Sequence, residues 1–122
     1  MDSYEALWAV YFGDVSDPSR LDPGRTNAGV AVLETQRIFG GDSQYYYLGS
    51  YEVEKDRITA TVTITHFNGE GWSAFGEPLK GSQRVCLEGR REGNEVRGQM
   101  WPEDHPGKRL PAMLRRLADL PS

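Results

Sequence analysis

The stretch of this chain that decides its fold reads Arg37-Ile38-Phe39-Gly40-Gly41-Asp42-Ser43-Gln44-Tyr45-Tyr46-Tyr47-Leu48-Gly49-Ser50-Tyr51. Aromatic and β-branched residues are enriched in strands, and glycine adopts the positive φ of tight turns at little steric cost. The stretch therefore predicts a strand that ends at Phe39, a turn at Gly40-Gly41 and a second strand from Tyr45 to Glu54. Gly49 indicates a bulge or a barrel bend inside that second strand.

The segment that follows alternates with a period of two. Ile58, Ala60, Val62 and Ile64 are separated by a threonine at every intervening position. Side chains two residues apart lie on the same face of a strand, so the pattern predicts one apolar face and one threonine face. The β-branched residues disfavour a helix here. In a barrel we expect Ile58, Val62 and Ile64 to line the lumen.

Several other short strands are predicted along the chain, because glycine and proline mostly fall between apolar runs. They are expected at residues 7–12, 26–34, 84–92 and 95–100, and the Gly93-Asn94 pair between the last two suits a hairpin turn. With 122 residues the chain is long enough for one core, so a single domain over residues 1–122 is predicted. The pattern indicates an all-β fold, an antiparallel up-and-down barrel of about eight strands.

The C-terminal segment fits two structures. Leu110, Met113, Leu114 and Leu117 have the spacing of an apolar helix face, and Pro111 suits the first turn of a helix. Periodicity alone therefore indicates a short C-terminal helix. A strand that closes the barrel is the alternative.

Composition argues against several functions. The net charge is −4, from 14 basic and 18 acidic residues, whereas nucleic-acid binding requires a basic surface. The chain carries 5 basic and 10 acidic residues up to Thr61, against 9 and 8 in the remainder, and an acidic half suits a basic protein partner. No apolar run approaches the roughly 20 residues that span a bilayer. Because Cys86 is the only cysteine and no internal disulfide can form, we predict a cytoplasmic protein.

No catalytic or metal-binding signature occurs in the sequence. His66 and His105 do not lie at ligand spacing from each other or from Cys86, so neither a metal nor another cofactor is predicted. A cysteine between apolar strand residues is usually packed and unreactive. Gly40-Gly41-Asp42-Ser43 does not match the glycine-flanked serine elbow of hydrolases. We therefore predict no catalytic residues and no enzymatic activity.

Aromatic strand residues are the first candidates for binding. Tyrosine and tryptophan can fill a core, line a lumen or form a protein interface, because each buries a large area at low entropy cost. The candidates for a lumen or an interface are Trp8, Tyr45, Tyr47 and Tyr51.

Three acids are the second candidates. Glu52 and Glu54 would share one face of a strand, and Asp56 would follow in the turn. Acids in such a place either face water and prevent edge pairing or bind a basic partner. They are the predicted partner-binding residues.

The chain resembles the GrlR-like family of regulators, whose fold is a lipocalin-like barrel. The resemblance rests on residues 7–12, 29–32, 37–42, the tyrosine strand, 57–62 and 117–121, and the glycine-glycine-aspartate piece is the most specific part. It implies a homodimer without enzymatic activity, a negative regulator that binds and sequesters a DNA-binding activator of type III secretion genes. It also implies a strand at residues 110–120, which is the structure we predict there.

One departure from the family concerns the acids. The founding members engage the activator through a run of consecutive exposed acids, and the matching region here reads Glu52-Val53-Glu54-Lys55-Asp56. Val53 and the basic Lys55 interrupt the run. We predict a regulator that captures and sequesters a basic protein partner. The alternative is a barrel that binds a small apolar, lipid-like ligand in its lumen.

Overall fold

The computed structural model describes residues 3–13, 27–71, 75 and 78–121. These residues form eight strands and no helix, and thus none of them belongs to a helix that could cross a membrane. The strands are β1 (Ala6–Phe12), β2 (Asn27–Glu34), β3 (Arg37–Gly41), β4 (Tyr45–Glu54), β5 (Arg57–His66), β6 (Ser82–Glu92), β7 (Glu95–Pro102) and β8 (Leu110–Ala118).

The eight strands pair in chain order and close into an antiparallel barrel. β1 pairs with β2 on one side and with β8 on the other, so each strand has a hydrogen-bonded neighbour on both sides. Closure removes the free edges that otherwise invite pairing with other chains. The predicted all-β, up-and-down lipocalin-like barrel is confirmed.

The alternation in β5 divides the inside of the barrel from the outside. Ile58 and Ala60 are buried, whereas Thr59 between them is exposed. β5 pairs with β4 along its full length and with β6 along nearly all of it. The inward face of β5 is therefore flanked by a paired strand on each side. The period of two in the sequence therefore predicts the orientation of the strand correctly.

Glycines on the inner face let the strands bend and approach one another closely. A Cβ atom on Gly40 would lie 2.1 Å from the carbonyl oxygen of Val30, and one on Gly49 would lie 2.2 Å from that of Thr61. Both distances are far inside van der Waals contact, so no larger residue fits without a backbone shift. Such bends are how a strongly curved sheet closes.

The predicted turn at Gly40-Gly41 is wrong. Both glycines lie within β3, and the chain turns at residues 42–44 instead. The glycine pair is needed because β2 and β4 pass close to β3, and not because the backbone reverses there. Glycine serves both purposes, and the sequence does not distinguish them.

The C-terminal segment is strand β8, so the strand prediction is confirmed and the helical alternative is wrong. β8 pairs with β7 on one side and with β1 on the other, which completes the barrel. Its residues Ala112, Met113 and Leu114 are consecutive and all buried. Because both faces of this strand are covered, its sequence has no clean alternation.

The two ends of the barrel have different connections. Two-residue turns join β2 to β3, β4 to β5 and β6 to β7 at what we call the closed end. Thr35, Gln36, Lys55 and Gly93 take φ values of 53°, 63°, 58° and 62° in these turns, as primed hairpin turns require. The strand ends that flank the longer β1–β2, β5–β6 and β7–β8 connections lie at the opposite end together with the β3–β4 turn, and we call it the loop end.

Trp8 seals the closed end from the inside. Its side chain is fully buried, its ring stacks on Tyr4 with centroids 6.3 Å apart, and its Nε1 donates to the Tyr4 carbonyl oxygen at 2.8 Å. The Arg91 guanidinium lies 4.7 Å from the Tyr4 ring centroid and 5.3 Å from that of Trp8. It donates to the carbonyl oxygens of Ser3 and Gly93, both at 2.8 Å. Cation–π contact and hydrogen bonds thus join the N-terminal segment to the β6–β7 hairpin across this end.

Gly98→Ala tests the close approach of β6 and β7. A Cβ atom there would lie 1.8 Å from the Glu88 carbonyl oxygen, and overpacking of this kind costs about 1–3 kcal/mol or more. Gly107→Ala is the matched control, since its Cβ would meet no atom within 4 Å. In urea unfolding we expect the first variant to lose stability and the second to change by less than about 0.5 kcal/mol. Equal stability of the two variants would contradict the packing described.

Candidate functional site: the barrel cavity

The barrel encloses a cavity of about 230 Å³. Its wall is mostly aliphatic and comes from nearly every strand, so the cavity is a product of barrel closure and not of any one segment. The wall residues include Val10, Ala31, Leu33, Ile58, Ala60, Val62, Ile64, Val85, Leu87, Met100 and Leu114.

The polar part of the cavity lies at the loop end. Asp42, Ser43 and Gln44 of the β3–β4 turn line it together with the side chains of Tyr45 and Tyr47 at the start of β4. The opposite end is sealed by Trp8, so the cavity has an apolar interior and one polar mouth. This distribution matches small-molecule sites, in which apolar walls carry a few placed polar groups.

Asp42 organises the mouth. Its Oδ1 accepts hydrogen bonds from the backbone N–H groups of Gln44 and Tyr45, both at 2.8 Å. Its Oδ2 accepts a hydrogen bond from the Tyr47 hydroxyl. An aspartate that caps the next backbone N–H groups is a common way to make a tight turn. The same carboxylate therefore shapes the turn and holds a tyrosine of the cavity wall.

Gly29 makes room for this pair. A Cβ atom at Gly29 would lie 2.7 Å from the Tyr47 hydroxyl oxygen and 3.2 Å from the Asp42 Cβ. Gly29 lies in β2 and Tyr47 in β4, so the contact reaches across β3 on the inner side of the wall. An alanine there would displace the Tyr47 hydroxyl from its position at the mouth.

The β5–β6 connection is attached to the same mouth. The Tyr45 hydroxyl donates to the Leu79 carbonyl oxygen at 2.8 Å. The Gln44 Oε1 accepts from the Gly71 N–H at 3.2 Å, and the Gln44 carbonyl oxygen accepts from the Phe67 N–H at 2.9 Å. These bonds hold the connection beside the β3–β4 turn, and the described parts of both segments form one rim.

Burial changes the acidity of the two mouth tyrosines. It raises the pKa of Tyr47 far above the ordinary value of 10.0, and the hydrogen bond to Asp42 raises that pKa further. Burial also raises the pKa of Tyr45, with a smaller contribution from the Asp42 charge. Both phenols therefore stay protonated at neutral pH and can donate hydrogen bonds.

The candidate lumen residues occupy two regions. Tyr45, Tyr47, Ile58, Val62 and Ile64 all line the cavity. Trp8 and Tyr51 lie deeper, in the buried cluster toward the closed end. The sequence reasoning missed Asp42 and Gly29 as parts of the mouth. The Asp42-Ser43 pair before a strand is a turn signal that could have indicated the first of them.

The candidate acids lie far from the cavity mouth, on the β4–β5 hairpin at the closed end. All three are exposed, and Glu54 stands opposite Arg57 in the strand register. Asp56 forms an ion pair with Arg90 at 3.4 Å. The acids therefore alternate with basic side chains and do not form an uninterrupted acidic surface.

Apolar side chains are also exposed on the outer wall around β2 and β4. Tyr46 and Phe67 lie together there, with ring centroids 6.4 Å apart. Val30 of β2 and Leu48 of β4 are 46% and 53% exposed. We call these four residues the outer apolar patch. The patch matches the compositional signal of a protein interface, in which aromatic residues are enriched.

The described residues hold no group of histidine, cysteine, aspartate and glutamate side chains that could bind a metal ion. His66 Nε2 lies 3.1 Å from the Gly69 carbonyl oxygen, and its ring packs 5.6 Å from that of Tyr45. Cys86 is partly buried in β6. Among the described residues, the mouth of the cavity is where several polar side chains lie close together in fixed positions.

Tyr47→Phe tests the link to Asp42 through its pH dependence. Because the folded state raises the pKa of Tyr47 above 10.0, its hydrogen bond stabilises the fold below that pH and the contribution is lost as the pH rises further. At pH 8 we expect the variant to be less stable by about 1–3 kcal/mol. The difference should narrow above pH 10, as measured by urea unfolding. Tyr46→Phe, on the exposed outer wall, is the control. A constant difference for Tyr47→Phe would contradict the assignment.

Comparison with known proteins assigns no family to this chain. No protein-family model matches this chain, and no curated protein sequence is significantly similar to it. The resemblance to the GrlR-like family therefore stays a prediction from the sequence. The cavity, its mouth and the surface of the barrel are the features that bear on function.

Proposed function

We propose that this protein is a non-enzymatic binding barrel that takes one small, mainly apolar molecule into its lumen. The observation that carries the proposal is the cavity of about 230 Å³, which is enclosed by aliphatic side chains and has a polar mouth at one end. Barrels of about eight strands are wide enough either to fill with side chains or to hold one small ligand. Here part of the interior is not filled by the described residues.

The size of the cavity limits the ligand. It is somewhat smaller than the roughly 300–1,000 Å³ of pockets for drug-sized molecules. An apolar cavity of about 150 Å³ takes benzene, so a proportionate occupant here has on the order of nine carbon atoms. Burial of such a chain contributes about 0.8 kcal/mol per methylene group. A short alkyl chain with one polar end fits both the aliphatic wall and the polar mouth.

The arrangement of ionisable groups supports binding over catalysis. Asp42 is the one formally charged side chain among the described residues of the cavity wall. Its oxygens already accept hydrogen bonds from Gln44, Tyr45 and Tyr47. A catalytic base normally works with a second group that orients it or completes the proton transfer. A cytoplasmic location, which the single cysteine suggests, forms part of the same proposal.

Ala60→Leu tests the lumen as the binding site. Ala60 lines the cavity, and the added carbon atoms would displace about two methylene groups of a ligand at about 0.8 kcal/mol each, which weakens binding about tenfold. The neighbouring Thr61→Leu, on the other face of β5, is the matched control. We expect calorimetry with 1-octanol to show one saturable site with a negative heat-capacity change in the wild type and the control. Equal binding by Ala60→Leu would place the ligand elsewhere.

A second candidate function is the capture of a protein partner, in the manner of the GrlR-like regulators. The exposed Glu52, Glu54 and Asp56 on one hairpin support it, and so does the outer apolar patch. In this reading the acids bind a basic partner such as a transcription activator, and the patch pairs two copies of the chain. The ion pair of Asp56 with Arg90 leaves Glu52 and Glu54 as the main contributors.

A pull-down from cells of origin tests the second candidate. The variant with Glu52, Glu54 and Asp56 all changed to alanine should lose a partner that the wild type retains, because rim charges govern such recognition. A variant with Glu103 and Asp104 changed to alanine removes two exposed acids at the opposite, loop end of the barrel and serves as the control. Full retention of the partner by the triple variant would remove the acidic-hairpin mechanism.

A further inference from the structure

The charge of the mouth restricts the chemistry of the ligand head. Asp42 is half-buried and carries the one formal charge of the described cavity wall. A carboxylate offers about four acceptor sites, and three are used here, by two backbone N–H groups and the Tyr47 hydroxyl. One acceptor site on Oδ2 is left. A negatively charged head would meet this carboxylate at the edge of an apolar cavity, where repulsion is only partly screened.

The hydroxyl groups of the mouth tyrosines are already directed at protein acceptors. The Tyr47 hydroxyl donates to Asp42, and the Tyr45 hydroxyl donates to the Leu79 carbonyl oxygen. A phenol has a single proton to donate, so both oxygens offer only lone pairs to a further partner. The tyrosines therefore add acceptors to the mouth and not donors.

One more buried acceptor lies on the same level of the barrel wall. The strand register places Tyr47 opposite Ile64 and Ile64 opposite Gln83. Gln83 lies two residues before the buried Val85 and so shares the inward face of β6. Its Oε1 is buried, and no donor among the described residues reaches it. Gln83 does not line the cavity, however, so Asp42 is the acceptor that selects the ligand head.

We propose that the ligand of this lumen is a short alkylammonium compound, whose aliphatic chain fills the cavity and whose ammonium group donates to Asp42 at the mouth. The inference rests on the proposed ligand-binding function and names its ligand class. An ammonium group has three donors and no acceptor. It therefore complements a mouth whose Asp42, Tyr45 and Tyr47 side chains offer acceptors. A carboxylate head, which is acceptor-only, does not.

Calorimetry with three matched ligands tests the proposal. Octylammonium, 1-octanol and octanoate share one alkyl chain and differ in head charge, and they are compared at pH 7 and constant ionic strength. We expect octylammonium to bind at least about tenfold more tightly than octanoate, with the affinity of octanol between the two. A difference of about tenfold is what one charge-assisted hydrogen bond contributes to affinity. This comparison uses the wild-type protein, so it does not depend on the folding of any variant.

Asp42→Asn then assigns the effect to the mouth. Asparagine retains an oxygen for the Gln44 and Tyr45 N–H groups and removes the charge. We expect octylammonium to bind about tenfold more weakly to this variant, and octanol to lose clearly less affinity than octylammonium does. Asp56→Asn is the control, because Asp56 is exposed and lies at the closed end, opposite the end of the barrel that carries the mouth. It should leave all three affinities unchanged.

The possible results distinguish a failure of the ammonium assignment from a failure of the proposed lumen function. If octanol binds but octylammonium and octanoate bind equally well, or octanoate binds best, the ammonium assignment is overturned and the binding function stands. Should Asp56→Asn weaken octylammonium as much as Asp42→Asn does, the preference is a property of the net charge and the mouth assignment is overturned. If none of the three ligands binds, the proposed lumen function itself fails, and the ammonium assignment fails with it.

Discussion

The pairing of β1 with β8 is the constraint on which the rest of this structure depends. It turns a meander of eight strands into a closed wall, so that every strand must present one face to the interior. The glycines of the inner face follow from the same constraint, because a closed wall of this size needs sharp bends. β8 differs from the other strands, because Ala112, Met113 and Leu114 are buried in succession and both of its faces are therefore covered there.

The second property of the barrel is the difference between its ends. Short primed turns and the Trp8–Arg91 contact seal one end. The other end carries the longer connections and the Asp42 turn. The cavity is apolar toward Trp8 at one end and polar at its mouth. A ligand with an aliphatic body and a polar head therefore fits it in one orientation. Hydrophobic burial supplies most of the affinity of such a site, and the few polar groups at the mouth select the head.

Much of the fold could be predicted from the sequence, because the main signals are local. The alternation from Ile58 to Ile64 predicts both the strand and its inward face, and Gly93-Asn94 predicts a hairpin turn where β6 meets β7. The pattern was misleading where a residue type has two uses. Gly40-Gly41 suits a turn and a close strand approach equally well, and only the neighbouring strands distinguish the two. The β8 segment was ambiguous because residues on both of its faces are buried, which removes the alternation of a half-buried strand.

The sequence by itself determined most of the strands and the apolar set of β5 that faces inward, since a period of two is a property of neighbouring residues. Only the tertiary structure decided that Asp42, Tyr47 and Gly29 meet at one mouth and that Gln83 lies on the level of Tyr47. It also decided that Tyr45 and Tyr47 line the cavity while Tyr46 faces outward. These contacts join residues far apart in the chain, and they form because closure of the barrel sets the register of each strand against the next.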